Sequence, residues 1–240
     1  MRLDRYLADN AFYKSRERAA RAIESGCVKV NGNVILKPSH SVSPDAQIIC
    51  SPDPVPYVSR GGLKLLGALN EFKISVEGLS CLDIGSSTGG FTHVLLEKGA
   101  ADVTCVDVGH DQLDPILRAD SRIQVYEGTD ARTFRPGIQY DFICMDVSFI
   151  SVTQMLDTIR TLIKPTGQIL ILIKPQFELS RSALNKNGIV KNKDFGLRRA
   201  KEIVSLFCEQ GEFRAGGLIE SPIHGGDGNI EYCGWFFPLV

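Results

Sequence analysis

The sequence predicts a doubly wound α/β domain preceded by a small, basic α+β module, and three observations carry that prediction. From about residue 60 onward, short apolar runs alternate with helical patterns in βα order. A glycine-rich stretch, Leu82-Asp83-Ile84-Gly85-Ser86-Ser87-Thr88-Gly89-Gly90-Phe91, leaves the first of these runs, and a later one ends in Lys174-Pro175-Gln176-Phe177-Glu178. In an open α/β sheet, loops at the carboxyl ends of the strands share one crevice. Charge is also unevenly divided: residues 1–40 hold eight Lys/Arg against four Asp/Glu, net +4, which leaves −5 for the remainder of a chain whose net charge is −1.

In the basic module, Leu3, Tyr6 and Leu7 recur at helical spacing. A second helix starts with Ser15 as N-cap, runs over 16–24 and stops at Gly26, with Ala19, Ala20 and Ile23 inward and Arg18 and Arg21 on an outer face near Lys14. Val28-Lys29-Val30 alternates as a strand, Asn31-Gly32 makes a two-residue hairpin turn, and Val34-Ile35-Leu36 is the partner strand. A cationic face on so small a unit points to a polyanion. Residues 51–59 hold three prolines and read as a stiff linker, so the boundaries are 1–54 for the module, 55–62 for the linker and 63–240 for the α/β domain.

That domain opens with a helix whose Leu63, Leu66, Leu69 and Phe72 form an apolar stripe. Strands follow at 81–84, 103–107, 123–126, 142–146 and 169–173, helices near 89–98, 151–163 and 194–210, and a hairpin over about 216–237. The near-continuous apolar strands suit a sheet covered on both faces.

The remaining composition excludes several classes. No stretch approaches the ~20 apolar residues of a membrane span, and the N-terminus has no signal-peptide core, so a cytoplasmic protein is expected. The seven cysteines lie apart with no C-x-x-C, and four scattered histidines add no ligand cluster, so no metal is expected.

The glycine-rich loop is neither G-x-G-x-x-G nor a P-loop. It is bracketed by acids instead: Asp83 ends the first strand, Asp107 the second, where a carboxylate can accept both ribose hydroxyls, and Asp130 follows the third, where it meets an adenine amino group. Three acids at successive strand ends suit a cationic adenosyl cofactor better than a pyrophosphate. The spacing resembles the class I S-adenosylmethionine-dependent methyltransferases over roughly residues 60–240. That resemblance implies a mostly parallel, seven-stranded Rossmann-like sheet and a cofactor site at Asp83, Gly85, Ser86, Ser87, Gly89, Gly90, Phe91, Asp107, Asp130 and Asp146.

After the fourth strand stands Asp146-Val147-Ser148-Phe149-Ile150, with none of the Asn/Asp-Pro-Pro-Tyr/Phe pattern of amino-directed enzymes. Lys64, Asp146, Lys174 and Glu231 resemble the Lys-Asp-Lys-Glu tetrad of FtsJ-like ribose 2'-O-methyltransferases. A ribose hydroxyl is a weak acid and a weak nucleophile, so it needs a partner for its proton during in-line attack. Singly, a strand-end lysine or a strand-edge glutamate is an ordinary surface group; the weight lies in all four coming in order.

The pattern from Ser15-Arg16 through Ala19, Ala22-Ile23, Gly26 and Val28 to Val30-Asn31-Gly32 resembles the RNA-binding domain named after small-subunit ribosomal protein S4, over roughly residues 2–50. It implies phosphate contacts at Arg2, Arg5, Lys14, Arg16, Arg18 and Arg21. Both halves together, with Val58-Ser59-Arg60-Gly61-Gly62 between them and Gly226-Asp227-Gly228-Asn229-Ile230-Glu231 near the end, resemble the TlyA, or hemolysin A-like, family. That resemblance implies 2'-O-methylation of cytidine in ribosomal RNA of one or both subunits. The Lys-Pro-Gln-Phe-Glu stretch departs from many FtsJ-like enzymes. A flipped nucleotide would stack on Phe149, Phe177 or Tyr232. A monomer is expected, though the sequence leaves the oligomeric state open. The alternatives are a membrane-acting hemolysin and a non-catalytic RNA-binding assembly factor.

Overall fold

The computed structural model describes residues 1–43, 45–51 and 56–239, which divide into two compact units, Met1–Pro56 and Tyr57–Val240. Residues 52–55 of the expected linker lie outside the described residues.

The first unit carries α1 (Leu3–Asp9), α2 (Arg16–Glu24) and a three-stranded antiparallel sheet of β1 (Val28–Val30), β2 (Asn33–Val34) and β3 (Ile48–Cys50), in the order β2-β1-β3. The Ser15 hydroxyl accepts the Arg18 amide hydrogen at 3.2 Å and so caps α2. Asn31 and Gly32, at φ +49° and +82°, form the two-residue turn that joins Val30 to Asn33. Leu3, Leu7, Ala19, Ala22, Ile23, Val28 and Val30 fill the core. Ala22 therefore takes the inward place expected of Ala20, which is half-buried, because the buried stripe runs through 19, 22 and 23 at helical spacing. The hairpin's second strand ends at Val34, and Leu36 is exposed. β3, which pairs with β1 on its other edge, was not foreseen: its three residues carry too little alternation to signal a strand.

The second unit begins with α3 (Gly61–Phe72) and continues through β4 (Ser80–Ile84), α4 (Gly90–Glu97), β5 (Asp102–Val106), α5 (Pro115–Arg118), β6 (Ile123–Tyr126), β7 (Tyr140–Met145), α6 (Leu156–Leu162), β8 (Ile163–Ile173), α7 (Pro175–Glu178), α8 (Lys193–Gln210), β9 (Phe213–Glu220) and β10 (Tyr232–Pro238). The seven strands lie in the order β6-β5-β4-β7-β8-β10-β9. The first five are mutually parallel, and β10 runs antiparallel to both its neighbours. Ile84, Ile143, Met145, Ile169, Ile171 and Ile173 from the central strands and Ala200, Ile203 and Phe207 from α8 form the main core. The chain order reverses at β4, where β5 and β7 leave on opposite sides, and ligands bind at such switch points.

Three expectations need correction here. Of the segment expected as linker, Tyr57 is buried against His93, and Gly61 and Gly62 already belong to α3; the Gly62 position must stay small, since a Cβ there would lie 2.9 Å from the Gly90 carbonyl oxygen. The buried face of α3 is Lys64, Leu65, Ala68 and Leu69 rather than the stripe of Leu63, Leu66, Leu69 and Phe72, because the helix turns Lys64 inward to meet an acid. The helix expected over 151–163 is a 3₁₀ turn, Val152–Met155, then α6, and Ile163 already belongs to β8.

Candidate active site

The glycine-rich loop runs from the end of β4 to the start of α4. Gly85 adopts φ +81°, and a Cβ there would stand 2.6 Å from the Asp146 carbonyl oxygen, so the loop and the β7 end approach as closely as only glycine permits. Gly89, at φ +92°, turns the chain into α4. Asp107 fastens the loop to the end of β5: its carboxylate accepts the Ser87 amide at 2.8 Å and the Gly109 amide at 2.7 Å. Asp130 caps the turn after β6, accepts the Arg132 guanidinium at 2.6 Å, and is held below the usual carboxylate range chiefly by that guanidinium.

A cavity of about 360 Å³ opens between these ends, lined by Gly85, Ser87, Asp107, Val108, Asp130, Asp146, Phe149 and Met155 among others. A second, of about 190 Å³, lies beside it against Ser59, Gly61, Ser86, Thr88, Gly90, Phe91 and Asp146. Gly85, Ser87 and Asp146 line both. The larger has carboxylates at Asp107, Asp130 and Asp146 and apolar walls at Ile84, Val106 and Met155, which suit a nucleoside; the smaller is lined by residues of the glycine-rich loop and of the start of α3.

Asp83 was expected among the contacts of this crevice, yet it is fully buried beneath the loop and lines neither cavity. Its carboxylate accepts the Thr92 hydroxyl at 2.6 Å and the Thr92 amide at 3.0 Å, which anchors the first turn of α4. Burial pushes its pKa up to about 7 against those hydrogen bonds, and the nearby Asp146 charge adds to the rise.

At the other side of Asp146 stand two lysine–acid pairs. Lys64, from α3, donates to Glu231 at 2.6 Å, and both are buried. The Lys174 ammonium, at the end of β8, lies 2.6 Å from Asp146 and donates to the Ser148 hydroxyl at 2.7 Å. Antiparallel pairing of Tyr232 with Ile173 brings Glu231 and Lys174, the next residues outward, to the same end of the sheet. Gln176 joins the pairs, its side-chain amide donating to Glu231 at 3.2 Å. A buried charge is tolerable only with such a partner.

Phe149 stands 87% exposed at φ +67°, its ring 5.0 Å from that of Phe177, and the Lys174 ammonium lies 5.8 Å from the Phe177 ring centre. Tyr232, the third aromatic expected to stack on a base, is only 4% exposed and belongs to the core. Ser148, Gln176 and Glu178 were missed by sequence reasoning, although the Lys-Pro-Gln-Phe-Glu stretch was the signal for two of them.

In the first unit, four of the six expected phosphate-contacting residues hold acids of their own unit. Arg2 and Arg16 both reach the buried Asp4, at 2.8 and 3.0 Å, Arg5 pairs with Asp9 at 3.3 Å, and Arg21 with Glu17 at 3.0 Å. Lys14 is exposed and Arg18 half-buried, on either side of the α2 cap.

Comparison with known proteins gives this geometry its context. Residues 57–236 match the model of the FtsJ-like methyltransferase family, and residues 1–48 that of the S4 domain. The chain belongs to the FtsJ-like methyltransferases. The Bacillus subtilis (strain 168) protein YqxC is 42% identical over 96% of this chain and 83% of its own length. The 16S/23S rRNA (cytidine-2'-O)-methyltransferase TlyA of Mycobacterium tuberculosis is 38% identical over 98% and 88%. A solved structure of a hemolysin-like protein from Streptococcus thermophilus superposes with a TM-score of 0.76 at 37% identity, covering 99% of this chain and 90% of that one. FtsJ-like methyltransferases use S-adenosylmethionine, and the two adjoining cavities, lined by Asp107, Asp130 and Asp146 and by the glycine-rich loop, fit that cofactor. Among the described residues no helix is long and apolar enough to cross a membrane, and no His/Cys/Asp/Glu group forms a metal-binding cluster.

Proposed function

We propose that this chain methylates the 2'-oxygen of a cytidine in ribosomal RNA, with residues 1–54 docking on folded RNA and residues 63–240 carrying out the transfer. One observation carries the reading: Asp146 lines both cavities of the cofactor site and also pairs with Lys174, so the methyl donor and the lysine–acid pairs meet at a single residue. In this reading Asp107 receives the ribose hydroxyls of the cofactor, Asp130 the adenine edge, and Gly85, Ser86, Ser87, Gly89, Gly90 and Phe91 enclose the amino-acid end. The bound S-adenosylmethionine supplies an activated methyl group on sulfur.

The chain's part is to present the oxygen. An ammonium has three N–H bonds. Asp146 and Ser148 engage the Lys174 nitrogen from two sides, which leaves one direction for the 2'-oxygen of the target. When Lys174 passes one proton to Asp146, the amine lone pair takes the 2'-hydroxyl proton as the oxygen forms its bond to the methyl carbon and the carbon–sulfur bond breaks. The buried Lys64–Glu231 pair fixes the wall beside it, through Gln176. Phe149 and Phe177 offer their faces to the flipped base, as stacking is worth ~1–3 kcal/mol per base. The cytidine and the ribosomal RNA come from the TlyA relative, whose name states them.

The test is transfer of labelled methyl from S-adenosylmethionine to each ribosomal subunit, followed by mapping of 2'-O-methyl positions. Labelling of cytidine is expected, and Lys174→Ala should lower the rate at least ~100-fold. Absence of labelling on both subunits, or full labelling by Lys174→Ala, would sink the reading. Lysis of liposomes by the protein without cofactor would favour the hemolysin alternative instead.

A further inference from the structure

The last residue of the Lys-Pro-Gln-Phe-Glu stretch has no place in the tetrad, yet its side chain is only 1% exposed. One carboxylate oxygen of Glu178 accepts the Val152 amide at 2.7 Å, and the other accepts the Ser151 hydroxyl at 2.7 Å. The Arg199 guanidinium of α8 lies 3.9 Å from the second oxygen and donates to the Glu178 backbone carbonyl at 3.1 Å. Taking a carboxylate out of water is costly, and these partners offset the cost.

The segment it grips is the one that leaves β7 through the active site. Its start is tied to Lys174 by Asp146 and Ser148, and its end to Glu178 by Ser151 and Val152. Between these ties stands Phe149, in a left-handed backbone conformation that a bulky residue adopts only when its surroundings impose it. Lys174 is the N-cap of the single turn of α7 and Glu178 its last residue, so both ties run to one short piece of chain.

We propose that Glu178 is a positioning residue that latches the loop 146–152 onto the turn carrying Lys174, and so fixes the wall that receives the target nucleotide. The inference rests on the ribose-methylation reading for its substrate. Glu178 itself touches neither cofactor nor reacting oxygen; it acts through Ser151 and Val152.

The test compares full-length Glu178→Ala and Glu178→Gln with the unaltered chain in three measurements: labelled methyl transfer to ribosomal subunits, S-adenosylmethionine affinity by calorimetry, and anisotropy of an indole introduced by Phe149→Trp in a Trp235→Phe background. Glu178→Ala should lower kcat/KM for RNA about 10- to 100-fold, through KM and kcat together, since misplacement of about 1 Å has effects of that size. Cofactor affinity should stay within about threefold, and the indole should become more mobile. Glu178→Gln can still accept the Val152 amide and face the Ser151 hydroxyl, so it should recover to within about threefold of the unaltered kcat/KM. Should Glu178→Ala fail to fold, Ser151→Ala removes one tie alone and is expected to loosen the indole and to lower kcat/KM several-fold. An indole equally ordered in every variant, an unchanged kcat/KM for RNA, or a parallel loss of cofactor affinity would overturn the latch. If the unaltered chain methylates no RNA, the functional reading fails, and the anisotropy alone decides the latch.

Discussion

Asp4 and Asp83 are both sealed from water, at 3% and 0% exposure, and the two units treat them in opposite ways. In the first unit Asp4 accepts Arg2, Arg16 and the Arg5 amide, and the Arg2 guanidinium foremost holds its carboxyl well below the usual range. In the second unit Asp83 has no ion-pair partner among the described residues and rests on Thr92 and a long contact from the Cys144 thiol. Burial wins there, and its pKa rises to about 7. One acid is a rivet that organises arginines. The other is an uncompensated charge beneath a loop that fits a cationic cofactor.

The largest effect expected from breaking this contrast is at Asp83. Its folded pKa lies above that of an unfolded carboxyl, so the folded chain binds the proton more tightly. Its contribution to stability is complete below about pH 4 and is lost as pH rises through about 7. A rise from the ordinary carboxyl range to about 7 corresponds to on the order of 4 kcal/mol across that window. Asp83→Asn cannot ionise, so the urea midpoint of this unit should fall less between pH 4.5 and 8 than in the unaltered chain. Trp235, the chain's single tryptophan, lies in β10 of the same unit and reports the transition. Parallel pH profiles for both proteins would show that Asp83 ionises freely and that its burial carries no charge penalty.

Asp4→Asn tests the rivet from the other side, with a smaller effect. The substitution removes the charged acceptor from two guanidinium groups that themselves reach water, so the loss is that of charge-assisted hydrogen bonds, about 2 kcal/mol. Hydrogen exchange of the α1 amides in the full chain should quicken accordingly. Here the sign reverses: a lowered folded pKa gives stability that is present above the usual carboxylate range and lost as pH falls below it. Acidification should therefore loosen α1 in the unaltered chain and leave Asp4→Asn unmoved.

The contrast also marks what could be read from residues alone. The strands from β4 to β10 and the longer helices among them followed from apolar periodicity, and Gly85, Gly89 and Asp107 from their places at strand ends and turns, whereas the four tetrad residues were named through the family resemblance. Burial was harder. Asp83 reads in sequence like Asp107, another acid ending a strand, and only the packing of α4 over the β4 end separates an anchor from a cavity wall. The inward turn of Lys64 depends on Glu231, 167 positions away, and on the register of Tyr232 with Ile173, neither of which a local pattern encodes. The partners of Arg2 and Arg16 were hidden likewise, since Asp4 counts as one more surface charge until α1 and α2 are packed together.

The smallest expected effect separates structural from ligand-directed cations in the first unit. Lys14 is exposed beside the α2 cap, whereas Arg16, two residues on, is committed to Asp4. If the module docks on phosphates, Lys14→Ala should leave stability within about 0.5 kcal/mol of the unaltered chain. It should still weaken RNA binding and reduce the slope of log affinity against log salt by about 1 between ~50 and ~200 mM. Arg16→Ala should change the salt slope and also quicken exchange in α1, because it withdraws one support from a buried acid. Filter binding across the salt series and exchange on the same preparations place each residue on this scale. An unchanged slope for Lys14→Ala would take it off the contact face, leaving the phosphates to the arginines that also hold Asp4 and tying RNA affinity in this unit to the integrity of its rivet.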